Sequence, residues 1–159
     1  MLNQAIRHPQ MLIDLVASGE LESKLLLSNM RQQLSEQLQH CADESELLLQ
    51  LRKYRNRQQV RIIWRDLMRQ AQLDETFREL SALADSCIDL AYQWLYQHHC
   101  QLYGTPIGRD SQQPQQLVVL GMGKLGAYEL NLSSDVDLIF TYPEGGETQG
   151  AKRNIDNQE

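Results

Sequence analysis

The chain contains 159 residues, of which 42% are hydrophobic and 23% are charged, and its formal net charge is −6. This length provides for one ordinary domain with a buried core, and the balance of apolar and charged residues argues against an intrinsically disordered chain. No apolar run approaches the ~18 residues that cross a bilayer, and the first residues lack the charged and apolar regions of a signal peptide, so we expect a cytoplasmic protein with no membrane partner. The three cysteines form no CxxC motif, and we expect free thiols.

Residues 1–103 have the spacing of apolar residues that is typical of amphipathic helices. The predicted helices run, in chain order, from Pro9 to about Gly19, from Glu20 to His40, from Asp43 or Ser45 to Gln72, and from Asp74 to near Gly104. Four such helices joined by short connections predict a helical bundle.

A stripe of positive charge lies on the third predicted helix, because Arg57, Arg61, Arg65 and Arg69 recur every four residues. The chain as a whole is acidic, and no ladder of aromatic residues accompanies the stripe. We therefore expect these arginines to pair with acidic residues of a neighbouring helix or of the remainder of the protein, and not with nucleic acid.

The pattern changes at residue 104. Residues 104–116 are polar and rich in turn formers, and they are predicted to form a linker. The apolar run 117–120 and the segment from Asp135 to Tyr142 are predicted to be two buried strands, joined by a glycine turn and two turns of helix. No regular element is predicted after Pro143. Since two strands leave their edges unpaired, we expect an incomplete sheet and a chain that is a fragment of a larger protein.

Two signals for phosphate chemistry lie in this second part of the chain. Asp135 and Asp137 alternate along the predicted strand, which places both carboxylates on one face about 6.5 to 7 Å apart. Carboxylates are ligands that Mg²⁺ prefers. The preceding turn, GMGKLGA, opens a short helix, where backbone N–H groups favour phosphate. An Asp-x-Asp pair alone is common on exposed surfaces, and a glycine-rich turn before a helix is usually only a tight turn. Their combination is what indicates metal-assisted chemistry on a phosphate.

The order of strand, glycine turn, short helix and Asp-apolar-Asp-apolar resembles the signature of the polymerase β nucleotidyltransferase superfamily. The longer stretch VVLGMGKLGAYELNLSSDVDLIFTYPE is similar to the family of bifunctional glutamine synthetase adenylyltransferase/adenylyl-removing enzymes. The resemblance covers nearly the whole chain. Met122, Asn131 and the segment RKYRNRQQVRIIW favour the N-terminal, adenylyl-removing copy of the two nucleotidyltransferase domains in that family.

The resemblance implies an α+β chain with a helical bundle over residues 1–103 and the start of a polymerase β-like nucleotidyltransferase domain, with an incomplete sheet, over 117–159. It implies a nucleotidyltransferase in which inorganic phosphate attacks the adenylyl group on a tyrosine of glutamine synthetase and releases ADP, while the same enzyme also adds AMP. The implied ligands and partners are Mg²⁺, ATP or ADP, phosphate, glutamine synthetase and the PII signal protein, in cytoplasmic nitrogen regulation.

The resemblance also implies roles for single residues. Asp135 and Asp137 would be catalytic and would hold the metal ion, and nucleotide phosphates would be bound by Lys124, Gly126, Ala127 and Ser134. Asn131 and Glu129 are expected to fix the turn and not to take part in the chemistry.

This sequence departs from the family pattern at two points. Ala127 stands where the family usually has glycine, which restricts φ but keeps the N–H donor. The third carboxylate of the superfamily comes from a later strand, and no candidate strand follows Tyr142. We therefore expect that carboxylate and the adenine-binding residues to lie beyond Glu159. We also expect the isolated chain to be inactive. Two alternatives stay open: the adenylyltransferase copy, and a non-catalytic helical interaction module in which Asp135 and Asp137 do not converge beside the Gly126 turn.

Overall fold

The structure of the chain is a computed structural model that describes residues 9–151 and 154–157. Its elements are, in chain order, α1 (Pro9–Ala17), α2 (Leu27–Leu38), α3 (Glu44–Leu67), α4 (Leu73–Tyr103), β1 (Thr105–Gly108), β2 (Val118–Gly121), α5 (Gly123–Gly126), β3 (Leu138–Thr141) and β4 (Gly146–Gln149). The helical region thus ends at Tyr103, as predicted, and the strands after it confirm the α+β class. None of the described helices combines the length and the apolar composition that a membrane crossing requires.

The hydrophobic core lies where α2, α3 and α4 pack against one another. Each helix buries one stripe, since its apolar residues recur at helical spacing, and each fully buried aliphatic side chain stabilises the fold by about 2 kcal/mol. The buried members on these helices are Met30, Leu34, Leu38, Leu47, Tyr54, Ile62, Leu80, Leu83 and Leu90. Leu125 and Leu130, which follow β2 in the chain, belong to the same core. The helical region and the segment after β2 are therefore packed together.

The start of α2 differs from the prediction. This helix begins at Leu27, and the residues before it, predicted to be helical from Glu20, form turns. Their backbone carbonyls accept hydrogen bonds from α3: Glu22 O from Arg65 Nη1 at 3.1 Å, and Ser23 O from Arg61 Nη1 at 3.4 Å. Tertiary contacts to the arginine side chains therefore replace the helical hydrogen bonds of this segment.

The two ends of α3 are set by local chemistry. Asp43 is the N-cap, as one of the two predicted caps, and its carboxylate accepts a hydrogen bond from the backbone N–H of Glu46 at 2.9 Å. The helix ends at Leu67, short of the predicted Gln72. Arg69 adopts a left-handed φ of 58°, which cannot continue a right-handed helix.

The arginine stripe of α3 pairs with acidic residues of a neighbouring helix, as predicted, at two of its four positions, and with an acidic residue of the turn before α2 at a third. Arg57 pairs with Glu20 at 2.7 Å, Arg61 with Glu79 at 3.0 Å, and Arg65 with Glu75 at 2.6 Å. Glu75 and Glu79 both lie on α4, so the stripe joins α3 to the helix that packs beside it.

The strands form two separate antiparallel pairs. β2 pairs with β3 in a register that runs from Val118 opposite Thr141 to Gly121 opposite Leu138, which confirms the two predicted neighbouring strands. β1 pairs with β4, from Thr105 opposite Gln149 to Gly108 opposite Gly146. This second pair corrects two predictions, since it places one strand within the predicted linker 104–116 and another after Pro143. The strand sequences TPIG and GETQ lack the apolar alternation that indicates a strand.

Three details of the first strand pair also differ from the prediction. β3 begins at Leu138, so that Asp135 and Asp137 precede the strand, and the connection contains the single turn α5 where two turns were expected. The strands are not buried: Phe140 is 61% exposed and Leu120 is 46% exposed. Within the part of the chain that the structure describes, this sheet has only two strands, so its apolar side chains lack the cover that further strands would give.

Candidate functional site

The candidate site is built on the segment from Gly121 to Leu138, called the motif loop below, which connects β2 to β3 through α5. Two of its glycines have different structural roles. Gly123 adopts a φ of +54°, a conformation that glycine reaches without strain. At Gly126 an added Cβ would lie 2.5 Å from the carbonyl oxygen of Gly121, so the single turn of α5 can close onto the end of β2 only with glycine there.

The motif loop is anchored on α4. Leu125 and Leu130 are buried in the helical core, and the backbone N–H of Leu130 donates a hydrogen bond to Ser81 Oγ at 3.3 Å. Between these two leucines, the hydroxyl of Tyr128 donates to Asp85 Oδ2 at 2.6 Å. The position of the loop therefore depends on two polar side chains of α4 as well as on apolar packing.

Asp135 and Asp137 lie on the irregular segment that enters β3, and both are exposed. The backbone N–H of Met122 donates to the carbonyl oxygen of Asp137 at 2.9 Å. Met122 is also the N-cap of α5, so the segment with the two aspartates lies directly beside the glycine turn. The structure thus brings the two predicted motifs together at the level of the backbone.

The donor chemistry of this segment fits Mg²⁺, which takes oxygen ligands and keeps several of its waters. The carboxylates of Asp135 and Asp137 are both exposed, so each can supply such a ligand. Among the described residues, no group of three or more His, Cys, Asp or Glu side chains is arranged to hold a metal ion. A complete ligand set would thus need water, a substrate phosphate or further protein groups beside Asp135 and Asp137.

The residues predicted to bind phosphate lie on α5 and at the end of the loop. The backbone N–H of Gly126 donates to Met122 O at 3.3 Å, and that of Ala127 donates to Gly123 O at 3.1 Å, so both donors are used within the turn. Ala127 adopts a φ of −86° and a ψ of −4°, which alanine reaches without strain. Lys124 is exposed on the same turn. Phosphate binding at these positions stays a prediction.

Asn131 organises the turn that leads into the aspartate segment. Its Oδ1 accepts hydrogen bonds from Ser134 Oγ at 2.9 Å and from the backbone N–H of Ser133 at 3.1 Å, and its own N–H donates to Ser134 Oγ at 3.1 Å. Asn131 therefore fixes the turn, as expected. Ser134, predicted to bind phosphate, has its hydroxyl engaged with Asn131, and a contact with phosphate stays a prediction.

Two residues that support the motif loop were missed by the sequence analysis. Ser81 and Asp85 contact the loop from α4, and their spacing of four residues places both on one side of the helix, although nothing in the sequence shows that this side meets the loop.

A third missed contact joins the residues before β2 to the segment after β3. Glu144 accepts hydrogen bonds from the backbone N–H groups of Asp110 at 2.8 Å and Ser111 at 3.2 Å. Hydrogen bonds from Ser111 and Asp110 lower the pKa of Glu144 below its ordinary value. No sequence pattern indicated this contact.

The comparisons with known proteins agree over the whole chain. The family model described as glutamate-ammonia ligase adenylyltransferase matches residues 1–159. The bifunctional glutamine synthetase adenylyltransferase/adenylyl-removing enzyme of Pseudomonas aeruginosa is 63% identical over 156 residues, which cover 98% of this chain and 16% of that protein. The proteins of the same name from Pseudomonas putida and Nitrosococcus oceani are 62% and 52% identical, over 99% and 97% of this chain. This chain spans 16% of the length of each of these relatives.

Proposed function

This chain belongs to the glutamate-ammonia ligase adenylyltransferase family, and on that premise we propose that it contributes a nucleotidyltransferase site that acts on adenylylated glutamine synthetase. One structural observation carries the proposal. Asp137 is hydrogen bonded through its backbone to Met122, the residue that opens the glycine turn, so that the acidic segment and the turn are neighbours. A metal-binding pair of carboxylates beside a phosphate-binding turn is the arrangement that adenylyl transfer requires.

In this proposal the chain positions the reacting phosphate and neutralises its charge. Asp135 and Asp137 would hold Mg²⁺, which would supply positive charge to the phosphate oxygens. Lys124 adds a positive charge at the turn, and Gly126 and Ala127 shape the backbone against which the phosphate lies. Ser134 keeps the approach to the aspartates in place through Asn131. Its hydroxyl has a single proton to donate, so a bound phosphate oxygen would replace Asn131 Oδ1 as the acceptor.

The proposed reaction is a phosphorolysis. An oxygen of inorganic phosphate attacks the phosphorus of the adenylyl group, the bond from phosphorus to the tyrosine oxygen breaks, and the products are ADP and the unmodified tyrosine. Met122, Asn131 and the arginine segment of α3 support the adenylyl-removing copy over the copy that transfers AMP from ATP. The proposal also includes a cytoplasmic location and control by the PII signal protein, both from the family resemblance.

The test uses a full-length enzyme, because the chain spans only 16% of its relatives. One such protein replaces the matching segment of the P. aeruginosa relative with this chain, and we call it the full-length enzyme. We expect Asp135→Asn and Asp137→Asn to abolish ADP release from adenylylated glutamine synthetase in phosphate and Mg²⁺, while AMP transfer from ATP continues. Glu147→Gln, which removes an exposed carboxylate on β4 outside the motif loop, is the control and should leave both activities intact.

Two other outcomes would reassign the chain. Loss of AMP transfer with intact ADP release would place these aspartates in the adenylyltransferase copy. Unchanged activity in both assays for both aspartate variants would refute the catalytic assignment and favour the helical interaction module.

A further inference from the structure

Tyr128 has an uncommon backbone conformation inside the motif loop. Its φ is +60°, in the left-handed region that residues with a bulky side chain rarely adopt. It directly follows Ala127, the residue that closes the single turn of α5. Such conformations persist only where the surrounding structure holds them, and they are concentrated at functional sites.

The contacts that hold Tyr128 come from α4 and from α5. Its hydroxyl donates to Asp85 Oδ2 at 2.6 Å, and its own backbone N–H donates to Leu125 O at 3.0 Å. Two residues later, Leu130 is buried in the helical core and its N–H donates to Ser81 Oγ. The left-handed residue is therefore fixed on both sides, and the Asp85 contact is the one made by its own side chain.

The hydrogen bond between Tyr128 and Asp85 lies outside the hydrophobic core. Tyr128 is exposed and Asp85 is half-buried, so the bond competes with water and adds little to the stability of the fold. The bond ties Tyr128, the residue at which the chain leaves the glycine turn, to α4. The same bond raises the pKa of Tyr128, so the hydroxyl remains a donor throughout the neutral pH range.

We infer that Tyr128 and Asp85 are positioning residues for the nucleotidyltransferase reaction, because together they hold the motif loop in the conformation that sets the glycine turn beside the segment of Asp135 and Asp137. This inference rests on the proposed function. Catalysis by positioning is sensitive to small displacements, since an error of about 1 Å can reduce a rate by about two orders of magnitude. Loss of the Tyr128 hydroxyl should therefore affect the rate more than the fold.

The test compares Tyr128→Phe and Asp85→Asn with Asp89→Asn in the full-length enzyme. Asp89 lies one turn further along α4 and is half-buried like Asp85, but it pairs with Arg31 of α2 and not with the loop. We expect kcat for ADP release to fall about tenfold or more in the first two variants, with the KM for phosphate and the melting temperature close to those of Asp89→Asn. The kcat of the double variant Tyr128→Phe with Asp85→Asn should be no lower than that of either single variant, because both changes remove the same bond.

The outcomes separate this inference from the proposed function. If Asp135→Asn is inactive while Tyr128→Phe and Asp85→Asn keep the kcat of Asp89→Asn, the inference is wrong and the proposed function stands. If activity falls only in proportion to the loss of folded protein, the pair is structural and the inference is again wrong. Asp85→Glu keeps a carboxylate acceptor and guards against misfolding of Asp85→Asn: we expect it to restore part of the kcat, and no restoration in a folded variant would contradict the inference.

Discussion

The guanidinium of Arg61 donates to both carboxylate oxygens of Glu79, at 3.5 and 3.0 Å, and the two side chains are only 1% and 3% exposed. Arg61 Nε also donates to Gln58 Oε1 at 2.8 Å. A buried charge whose partner is removed keeps its desolvation cost without the compensating attraction. The cohesion of α3 and α4 therefore depends on this pair remaining intact.

We predict that Glu79→Gln reduces the free energy of unfolding by about 3 kcal/mol, because it leaves Arg61 charged and buried without its counter-ion. Chemical denaturation followed by circular dichroism measures this change. The control is Asp74→Asn, which removes the exposed pair of Asp74 with Arg78 and should cost less than about 1 kcal/mol. Similar losses in the two variants would show that burial does not determine the contribution of the Arg61 pair.

Gly126→Ala should displace the motif loop, because the new Cβ would lie 2.5 Å from a backbone oxygen that cannot move aside alone. We expect a loss of about 1–3 kcal/mol in the free energy of unfolding, measured by denaturation. Gly123→Asn is the matched control, since nothing lies within 4 Å of a Cβ there and asparagine tolerates a left-handed φ. Equal losses in the two variants would contradict a steric role for Gly126.

The contact between Glu144 and the residues before β2 should weaken in acid. The pKa of Glu144 is lowered in the folded chain, so its contribution is fully present above the ordinary value of 4.5 and is lost as the pH falls through the lower, folded value. The amide resonances of Asp110 and Ser111 should therefore shift together in an NMR titration below pH 4.5. In Glu144→Gln this shift should vanish, and a shift that persists would assign the transition to another group.

The isolated 159-residue chain should self-associate through β2 and β3. Phe140 is 61% exposed on β3, and exposed apolar strands pair between molecules. Phe140→Glu should raise the fraction of monomer in sedimentation velocity. Leu67→Glu, at a similarly exposed site on α3, is the control and should change the fraction of monomer less.

The isolated chain should also release no ADP from adenylylated glutamine synthetase, because the third carboxylate is expected beyond Glu159. Steady ADP release from a monomeric chain would contradict this prediction.

The helical part of the fold followed from the sequence because its determinants are local or repeat at helical spacing. The apolar stripes located the helical region up to Tyr103, and the need to balance the charge of Arg57, Arg61 and Arg65 predicted their acidic partners. The motif around the glycine turn predicted the family, and the comparisons confirm it.

The parts that could not be predicted depend on contacts between distant residues. β1 and β4 have the sequences TPIG and GETQ, which lack an apolar alternation, and they are paired across about 40 residues of chain. The two strands approach so closely at Gly146 that an added Cβ would lie 2.0 Å from Ile107 O. In the sequence, Gly146 cannot be distinguished from an ordinary turn glycine. The roles of Ser81 and Asp85 likewise depend on which face of α4 meets the motif loop.

The burial of Leu125 and Leu130 among the side chains of α2, α3 and α4 limits how this protein can be divided. A cut at residue 104 would follow the change in sequence pattern, yet it would split one hydrophobic core and leave both halves with exposed leucines. The smallest portion that could be transplanted into another protein with the loop geometry preserved must therefore carry the three helices along with the glycine turn. Leu80 and Leu83 lie far from the glycine turn in the sequence, yet they share a hydrophobic core with Leu125. Substitutions at these two leucines should therefore also disturb the turn.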